Sequence, residues 1–246
     1  MTRLCIVGDS HVAALKHGWD TIHREFPSLE VAFFAGIRRS MKAFKVEEGK
    51  LVAGSEALKR QLQRFSTGGT DVTGDYDAFV CTALGADLRL ALLEALRTAD
   101  RESTSEERDR DFRRALRKLL RRSQAFEFVS RLRKITEAPL VLIGRPYPRA
   151  EAMAQWNALT AAEQRHVAAI YAQTFDRILA KSCNARFLRQ PNETLDAHCP
   201  LATDLNFFRR PARVDPLLDG LDDGEHANAA YGAIVLKAAL KLVGLG

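Results

Sequence analysis

Two short motifs near opposite ends of the chain carry residue types that could act together in catalysis. Ser10 closes a Gly-Asp-Ser tripeptide at residues 8–10, and Asp223 stands three residues before His226. A serine hydroxyl is a weak nucleophile until a base takes its proton, and histidine is the usual base. A carboxylate on the second ring nitrogen then fixes the tautomer and the orientation of the imidazole. The motifs therefore predict a catalytic constellation of Ser10, His226 and Asp223.

Each motif taken alone also has an ordinary structural explanation. Serine is favoured at the N-cap of a helix, where its hydroxyl accepts a backbone N–H, so Ser10 could be only a cap. His226, just before a helical segment, could equally be a capping or surface histidine. The catalytic interpretation therefore depends on the two motifs meeting in space.

The elements that must bring the motifs together alternate between short apolar strands and amphipathic helices. We predict strands at 4–7, 29–34, 76–84, 140–143 and near 185–188. Helical periodicity follows the first strand, follows a capping-box pair at Thr160 and Glu163, and recurs at the end of the chain. This alternation predicts an α/β fold with a mostly parallel sheet covered on both faces. Ser10 would then lie at the carboxyl edge of the sheet, where ligands collect.

The chain of 246 residues has the length of one large domain. We predict a single three-layer α/β/α domain over 1–246, with a helical insertion around 97–137 and a long loop around 189–222. Thr104 and Glu107 have capping-box spacing within the insertion. A loop of that length in a compact domain is usually functional or mobile.

The charge and the cysteines exclude several function classes. The net charge is +6, but much of the basic excess lies between Arg97 and Lys134, where acids are interleaved, as is typical of a solvated helix face. No nucleic-acid partner is expected, because no nucleic-acid motif accompanies that charge. The four cysteines form no Cys-x-x-Cys pair, so no metal site is predicted, and Cys5 and Cys81 in apolar runs are expected to be buried thiols.

We see no leader sequence and no segment long and apolar enough to cross a bilayer, so the expected compartment is the cytoplasm.

The two motifs together resemble the GDSL/SGNH hydrolase family, and the resemblance covers most of the chain. The family's first block places its nucleophile in a Gly-Asp-Ser motif after the first strand, which Ser10 matches. Its last block is Asp-x-x-His before a C-terminal helix, matched by Asp223 and His226 with Asn228 following. The resemblance implies a flavodoxin-like sheet and a serine-dependent esterase or acyltransferase with no cofactor. A Gly-x-Ser-x-Gly elbow is absent, which disfavours an ordinary α/β-hydrolase.

The same resemblance implies an oxyanion hole, and one of its positions departs from the family pattern. The amides of Ser10 and Gly36 match two of the family's donors. The third donor is an asparagine in a Gly-x-Asn-Asp block, and Asp87 stands in its place here. An ionised carboxylate cannot donate a hydrogen bond, and losing one donor typically costs about 10²–10³ in rate. Either the enzyme is slow, or Asp87 is held protonated, or another group such as Asn206 or Arg145 supplies the donor.

Three residues are predicted to contact the substrate. His11, Arg145 and Phe207 are candidates, with Phe207 in an aromatic and basic segment at 207–210 that could form a lid or simply an anchored loop. His198 and Cys199 receive no role. The Gly-Asp-Ser-His opening resembles that of glycan-modifying proteins, which implies an O-acetyl group on a carbohydrate-like ester as substrate.

Two other functions remain open at this point. The Asp87 substitution favours a catalytically weak or inactive glycan-binding or assembly module with the same fold. The basic helical section favours an enzyme that acts on an anionic lipid or a thioester substrate.

Overall fold

The computed structural model describes residues 1–98, 105–156, 159–209 and 226–246. The strands are β1 (Thr2–Gly8), β2 (Leu29–Ala35), β3 (Phe44–Glu47), β4 (Lys50–Ala53), β5 (Val72–Thr73), β6 (Ala78–Thr82), β7 (Leu140–Ile143) and β8 (Arg186–Leu188). The α-helices are α1 (Val12–Ile22), α2 (Glu56–Phe65), α3 (Leu88–Thr98), α4 (Ser105–Arg121), α5 (Gln124–Leu132), α6 (Ala161–Cys183) and α7 (Ala229–Leu242). These helices flank a central parallel sheet.

The central sheet has five parallel strands in the order β2-β1-β6-β7-β8. Because side chains alternate along a strand, β1 contributes Cys5 and Val7 to one buried cluster and Leu4 and Ile6 to another. The first cluster is completed by side chains of α2 to α6, and the second by side chains of α1 and α7. The predicted three-layer α/β/α architecture with a parallel sheet is confirmed, and so is the burial of Cys5.

A second, smaller sheet was not predicted. Strands β3, β4 and β5 form an antiparallel sheet, and α2 lies between β4 and β5 in the chain. These strands have two to four residues, and β3 exposes three of its four, so their hydrophobic pattern is too short to read. For α2 a signal did exist: the hydroxyl of Ser55 accepts the N–H of Leu58, which is the N-cap arrangement.

Several predicted boundaries are reproduced closely, and one strand is shorter than predicted. The Thr160 hydroxyl accepts the N–H of Glu163, whose carboxylate accepts the N–H of Thr160, so the predicted capping box opens α6. The strand predicted at 76–84 covers only Ala78–Thr82, because the backbone turns sharply at residue 83. Thr104 lies outside the described residues, and the single-domain assignment stays a prediction. None of the described helices is long and apolar enough to span a membrane.

Helices α1 and α7 meet backbone to backbone through two glycines. A Cβ atom on Gly232 would lie 1.8 Å from the carbonyl oxygen of Ala14, and one on Gly18 would lie 2.3 Å from the amide nitrogen of Ala233. No side chain larger than hydrogen fits at either place without moving a helix. Helix α1 begins just after Ser10 and α7 just after His226. The close crossing therefore fixes the two ends of the chain relative to each other.

Candidate active site

Ser10 and His226, which are 216 positions apart in sequence, lie within hydrogen-bonding distance. The Ser10 Oγ atom is 2.9 Å from Nε2 of the His226 ring. Ser10 stands in the turn between β1 and α1, and the N-cap of α1 is His11, without a side-chain cap. With the ring proton on Nδ1, the serine hydroxyl donates to Nε2, which is the arrangement that a general base needs.

Asn228 anchors the chain two residues after His226. The side-chain amide of Asn228 donates to the carbonyl of Asn206 at 2.7 Å, and its oxygen accepts the N–H of Tyr231 at 3.1 Å. The backbone N–H of Asn228 donates to the carbonyl of Phe207 at 2.8 Å. Asn228 thus caps α7 and ties the chain just after His226 to the loop at 206–208. The proposed third member, Asp223, lies outside the described residues.

A second histidine–aspartate pair lies directly beside the serine. Asp9 and His11 are only 2% and 6% exposed, and the Asp9 carboxylate is 2.9 Å from Nδ1 of His11. Burial acts to raise the pKa of Asp9, but the hydrogen bonds from the His11 ring and amide and the charges of His11 and Arg145 outweigh it, so that pKa lies below its ordinary value. The His11 ring centroid is 5.1 Å from that of His226. His11 is therefore buried beside the candidate base rather than facing solvent.

Sequence reasoning gave no role to Asp9. The sequence did contain an indication that Asp9 has a partner. Asp9 stands between the fully buried end of β1 and Ser10, where an ionised side chain must be paired. The partner stands only two residues away, on the other side of the turn.

The two family oxyanion positions other than Ser10 are occupied by other contacts. The Gly36 N–H donates to the carbonyl of Gly8 at 3.1 Å and so extends the ladder between β1 and β2. Asp87 caps α3, because its carboxylate accepts the N–H of Leu90 at 3.2 Å. The same carboxylate lies 3.6 Å from the guanidinium of Arg145, which is also 4.0 Å from Asp9. Arg145 is thus the cation that joins the two acids at this edge of the sheet.

The turn that delivers Asp87 has an unusual backbone. Ala83, Leu84 and Gly85 have φ values of 61°, 50° and 80°, the left-handed region that only glycine adopts at little cost. Ala83 and Leu84 are buried, and the Ala83 N–H donates to the carbonyl of Ile143. Such residues cost of order 1–3 kcal/mol each and persist only where their surroundings hold them. The turn places the start of α3 over the carboxyl edge of the sheet.

A cavity of about 310 Å³ adjoins these residues. Its lining includes three arginines, an acid, an aromatic ring and the buried histidine, namely Arg89, Arg145, Arg149, Asp87, Phe208 and His11. Phe207, the predicted substrate contact, packs against Tyr231 with 6.4 Å between ring centroids and is not among the residues that line this cavity. Its neighbour Phe208 supplies the aromatic wall. Arg89 and Arg149 were not singled out from the sequence, and Phe208 was considered only as part of the segment at 207–210, because only the fold brings α3, the loop after β7 and Phe208 together.

The cysteines offer no second nucleophile. All four are buried and free, and burial raises the pKa of Cys5, Cys81 and Cys199, which keeps these thiols protonated. In the part of the chain that the structure describes, no group of three or more histidine, cysteine or acidic side chains could hold a metal ion.

Comparisons with known proteins concern the fold. No protein-family model and no curated protein matches the sequence significantly. An extracellular lipase from Streptomyces rimosus aligns over 99% of both chains with 15% identity and a TM-score of 0.49. Phospholipase A1 from Streptomyces albidoflavus NA297 aligns over 99% of this chain and 98% of its own with 12% identity and a TM-score of 0.48. A carbohydrate esterase aligns over 99% of this chain and 64% of its own with 10% identity and a TM-score of 0.30.

At these identities and scores the likenesses transfer no activity to this chain. The sequence blocks and the sheet carry the assignment instead: a Gly-Asp-Ser turn after β1, His226 before α7, and five parallel strands in the order β2-β1-β6-β7-β8. With these features the chain has the fold of the GDSL/SGNH hydrolases.

Proposed function

We propose that this chain is a serine esterase or acyltransferase with Ser10 as nucleophile and His226 as general base. The observation that supports the proposal most strongly is the 2.9 Å contact between Ser10 Oγ and His226 Nε2. A hydroxyl and an imidazole from opposite ends of the chain meet at the edge of a parallel sheet, where ligands bind. Asp223 is the proposed carboxylate that orients the imidazole.

The proposed reaction has two halves. Ser10 Oγ attacks the ester carbonyl carbon while its proton passes to His226 Nε2, and a tetrahedral oxyanion forms. The intermediate collapses, the C–O bond to the alcohol breaks, and His226 returns the proton to the leaving alkoxide. Water, or the hydroxyl of an acceptor, then attacks the acyl-serine with His226 again as base, which releases the acid or the transferred ester.

The proposed stabilisation of the oxyanion falls to the Ser10 amide and to Arg145. The Gly36 amide already donates to Gly8, and Asp87 has no proton donor when it is ionised. The Arg145 guanidinium lies beside Asp87, where the family places its donor side chain. Asn206 is a weaker candidate, because it is exposed and its carbonyl accepts from Asn228.

The proposed substrate is a short acyl ester, an O-acetyl group on a carbohydrate-like alcohol. This finer proposal rests on the Gly-Asp-Ser-His opening and on the adjoining cavity, whose 310 Å³ and arginine-rich wall suit a polar ring better than a long alkyl chain.

Hydrolysis of a panel of esters tests the proposal. 4-Nitrophenyl acetate, 4-nitrophenyl octanoate and acetylated xylose would be assayed with the wild type, Ser10→Ala and the exposed control Ser28→Ala. We expect Ser10→Ala to lose roughly 10³-fold or more in kcat, since removing a nucleophile disables the whole unit. The control should keep the wild-type rate, and acetate should be cleaved faster than octanoate. Equal turnover by Ser10→Ala and wild type would contradict the assignment.

A binding module that keeps this fold is the second candidate, and the Asp87 contacts favour it. A carboxylate that caps α3 and pairs with Arg145 fills the place of a catalytic donor. This candidate predicts no turnover of any ester in the panel, together with glycan affinity that Ser10→Ala leaves unchanged.

A further inference from the structure

The cavity beside the candidate active site has a composition that points to an anionic ligand. We propose that it is a subsite for a carboxylate or phosphate group carried by the ester substrate. The proposal rests on the proposed function, since it deepens the substrate class of the same site. It concerns the residues that line the cavity, of which Arg89 and Arg149 have no part in the proposed acyl chemistry.

The charge balance of the cavity wall is positive. Among the residues that the structure describes, three arginines, Arg89, Arg145 and Arg149, line it together with one carboxylate, that of Asp87. The nearby Asp9 is buried behind the wall, bonded to His11 and 4.0 Å from Arg145. Both acids therefore lie beside Arg145, and Arg89 and Arg149 are two further cationic side chains of the wall.

Arg89 adds its charge where a helix already attracts anions. It is the second residue of α3, so its side chain lies in the first turn, where the exposed N–H groups give the helix a positive end. Asp87 caps this turn by accepting from Leu90, and Arg89 itself is exposed on the cavity wall.

Contacts through Phe208 and through His11 place the cavity close to His226. The guanidinium carbon of Arg149 lies 5.1 Å from the centroid of the Phe208 ring. Phe208 in turn pairs through its backbone with Ala227, the residue after His226. On the other side, His11 lines the cavity and its ring lies 5.1 Å from the ring of His226. An anion held in the cavity is therefore near enough to belong to the same substrate molecule as the ester at Ser10.

The volume of the cavity suits a small ligand. About 310 Å³ is at the lower end of the usual range for small-molecule sites. Planar guanidinium groups match the two oxygens of a carboxylate or of a phosphate, whereas Pro146, Ala152 and Phe208 offer apolar surface for a ring. The expected substrate is an ester of a small acidic alcohol, such as an acidic sugar.

The first test measures binding without catalysis. Calorimetric titration of the Ser10→Ala protein with inorganic phosphate and with glucuronate would be repeated in the Arg89→Gln, Arg89→Lys and Arg60→Gln backgrounds. Arg60 is an exposed arginine on α2 that does not line this cavity, so it serves as the matched control. We expect Arg89→Gln to weaken binding about tenfold, the value of one charge-assisted hydrogen bond, and Arg89→Lys to keep part of the affinity. The affinity should also fall with added salt.

If neither anion binds, or if Arg89→Gln and Arg60→Gln bind the anion equally well, the proposal is overturned. Binding of glucuronate but not phosphate identifies the group as a carboxylate, and the reverse identifies a phosphate.

The second test measures the consequence for turnover. Phenyl acetate, 3-acetoxybenzoate and 4-acetoxyphenyl phosphate share an acetyl ester and differ in the charge on the alcohol. We expect the ratio of kcat/KM for an anionic ester to that for phenyl acetate to fall about tenfold in Arg89→Gln and to stay constant in Arg60→Gln. An unchanged ratio would contradict the subsite. If no ester is cleaved by the wild type, the proposed function fails, whereas the titrations of Ser10→Ala still decide the subsite.

Discussion

Substituting Gly232 by alanine should separate Ser10 from His226 without touching either residue. The added Cβ would lie 1.8 Å from the carbonyl oxygen of Ala14 and 2.5 Å from its carbonyl carbon, both in the backbone of α1. Neither atom can rotate away, because each belongs to a helix backbone. Helix α7 must therefore move away from α1 or tilt against it.

The size of the movement follows from the contact distance. A Cβ atom rarely approaches another heavy atom closer than 3.0 Å, so the two helices must separate by about 1.2 Å at this point. His226 stands directly before α7 and Ser10 directly before α1, so much of that shift reaches the Oγ–Nε2 contact, which is 2.9 Å in the native chain. A misplacement of about 1 Å between reacting groups costs roughly 10²-fold in rate. Overpacking of this kind also lowers the free energy of unfolding by about 1–3 kcal/mol.

The assay compares kcat/KM for 4-nitrophenyl acetate with the thermal midpoint in the wild type, Gly232→Ala and the control Ala230→Gly. Ala230 is exposed in the same helix, and its replacement by glycine lowers helix stability by about 0.5–1 kcal/mol without adding an atom. We expect a rate loss near 10²-fold in Gly232→Ala and less than threefold in the control. A folded Gly232→Ala protein with the wild-type rate would refute the idea that this crossing sets the catalytic distance.

Three further substitutions test individual contacts of the site. Asp87→Asn keeps a good N-cap for α3 and adds a side-chain donor, so the esterase rate should rise by up to roughly 10²–10³, and a fall in rate would contradict the impaired oxyanion hole. Because the pKa of Asp9 is lowered in the folded chain, its carboxylate stabilises the fold above the unfolded pKa of about 4, and this contribution is lost as pH falls through the lower folded value. Urea unfolding between pH 2 and 6 should therefore show a shallower pH dependence in Asp9→Asn, and an unchanged slope would argue against the pair with His11. Asn228→Ala removes the cap of α7 and the hydrogen bond to Asn206, so it should lower the free energy of unfolding in urea by about 1 kcal/mol and also lower kcat. An unchanged kcat would show that this hydrogen bond does not position His226.

The sequence was most informative where local chemistry and tertiary structure agree. The first strand contains a continuous apolar run at 4–7, so its existence and the position of Ser10 behind it could be predicted, whereas its full extent, Thr2–Gly8, could not. The capping box at Thr160 and Glu163 is a local hydrogen-bond exchange, which needs no other part of the chain.

The remaining features depend on contacts that no local pattern encodes. His11 looks like an exposed residue of a first helical turn, yet it is buried because Asp9, at the end of β1, needs a partner. Gly36 matches the family position by its place after β2, but the twist and register of the sheet give its N–H to Gly8. Phe207 and Phe208 are adjacent aromatics, and only the packing against α7 decides which of them faces the cavity.

Reaction with a fluorophosphonate probe, followed by peptide mapping of the labelled residue, tests the central claim most directly. The probe forms a stable bond only to a serine that a base has activated, so it reports the Ser10–His226 pair independently of the substrate. We predict a single adduct on Ser10 in the wild type, none in Ser10→Ala, and labelling slowed by at least roughly 10³-fold in His226→Ala. An adduct on a different serine, or labelling of Ser10 at the same rate without His226, would contradict the account.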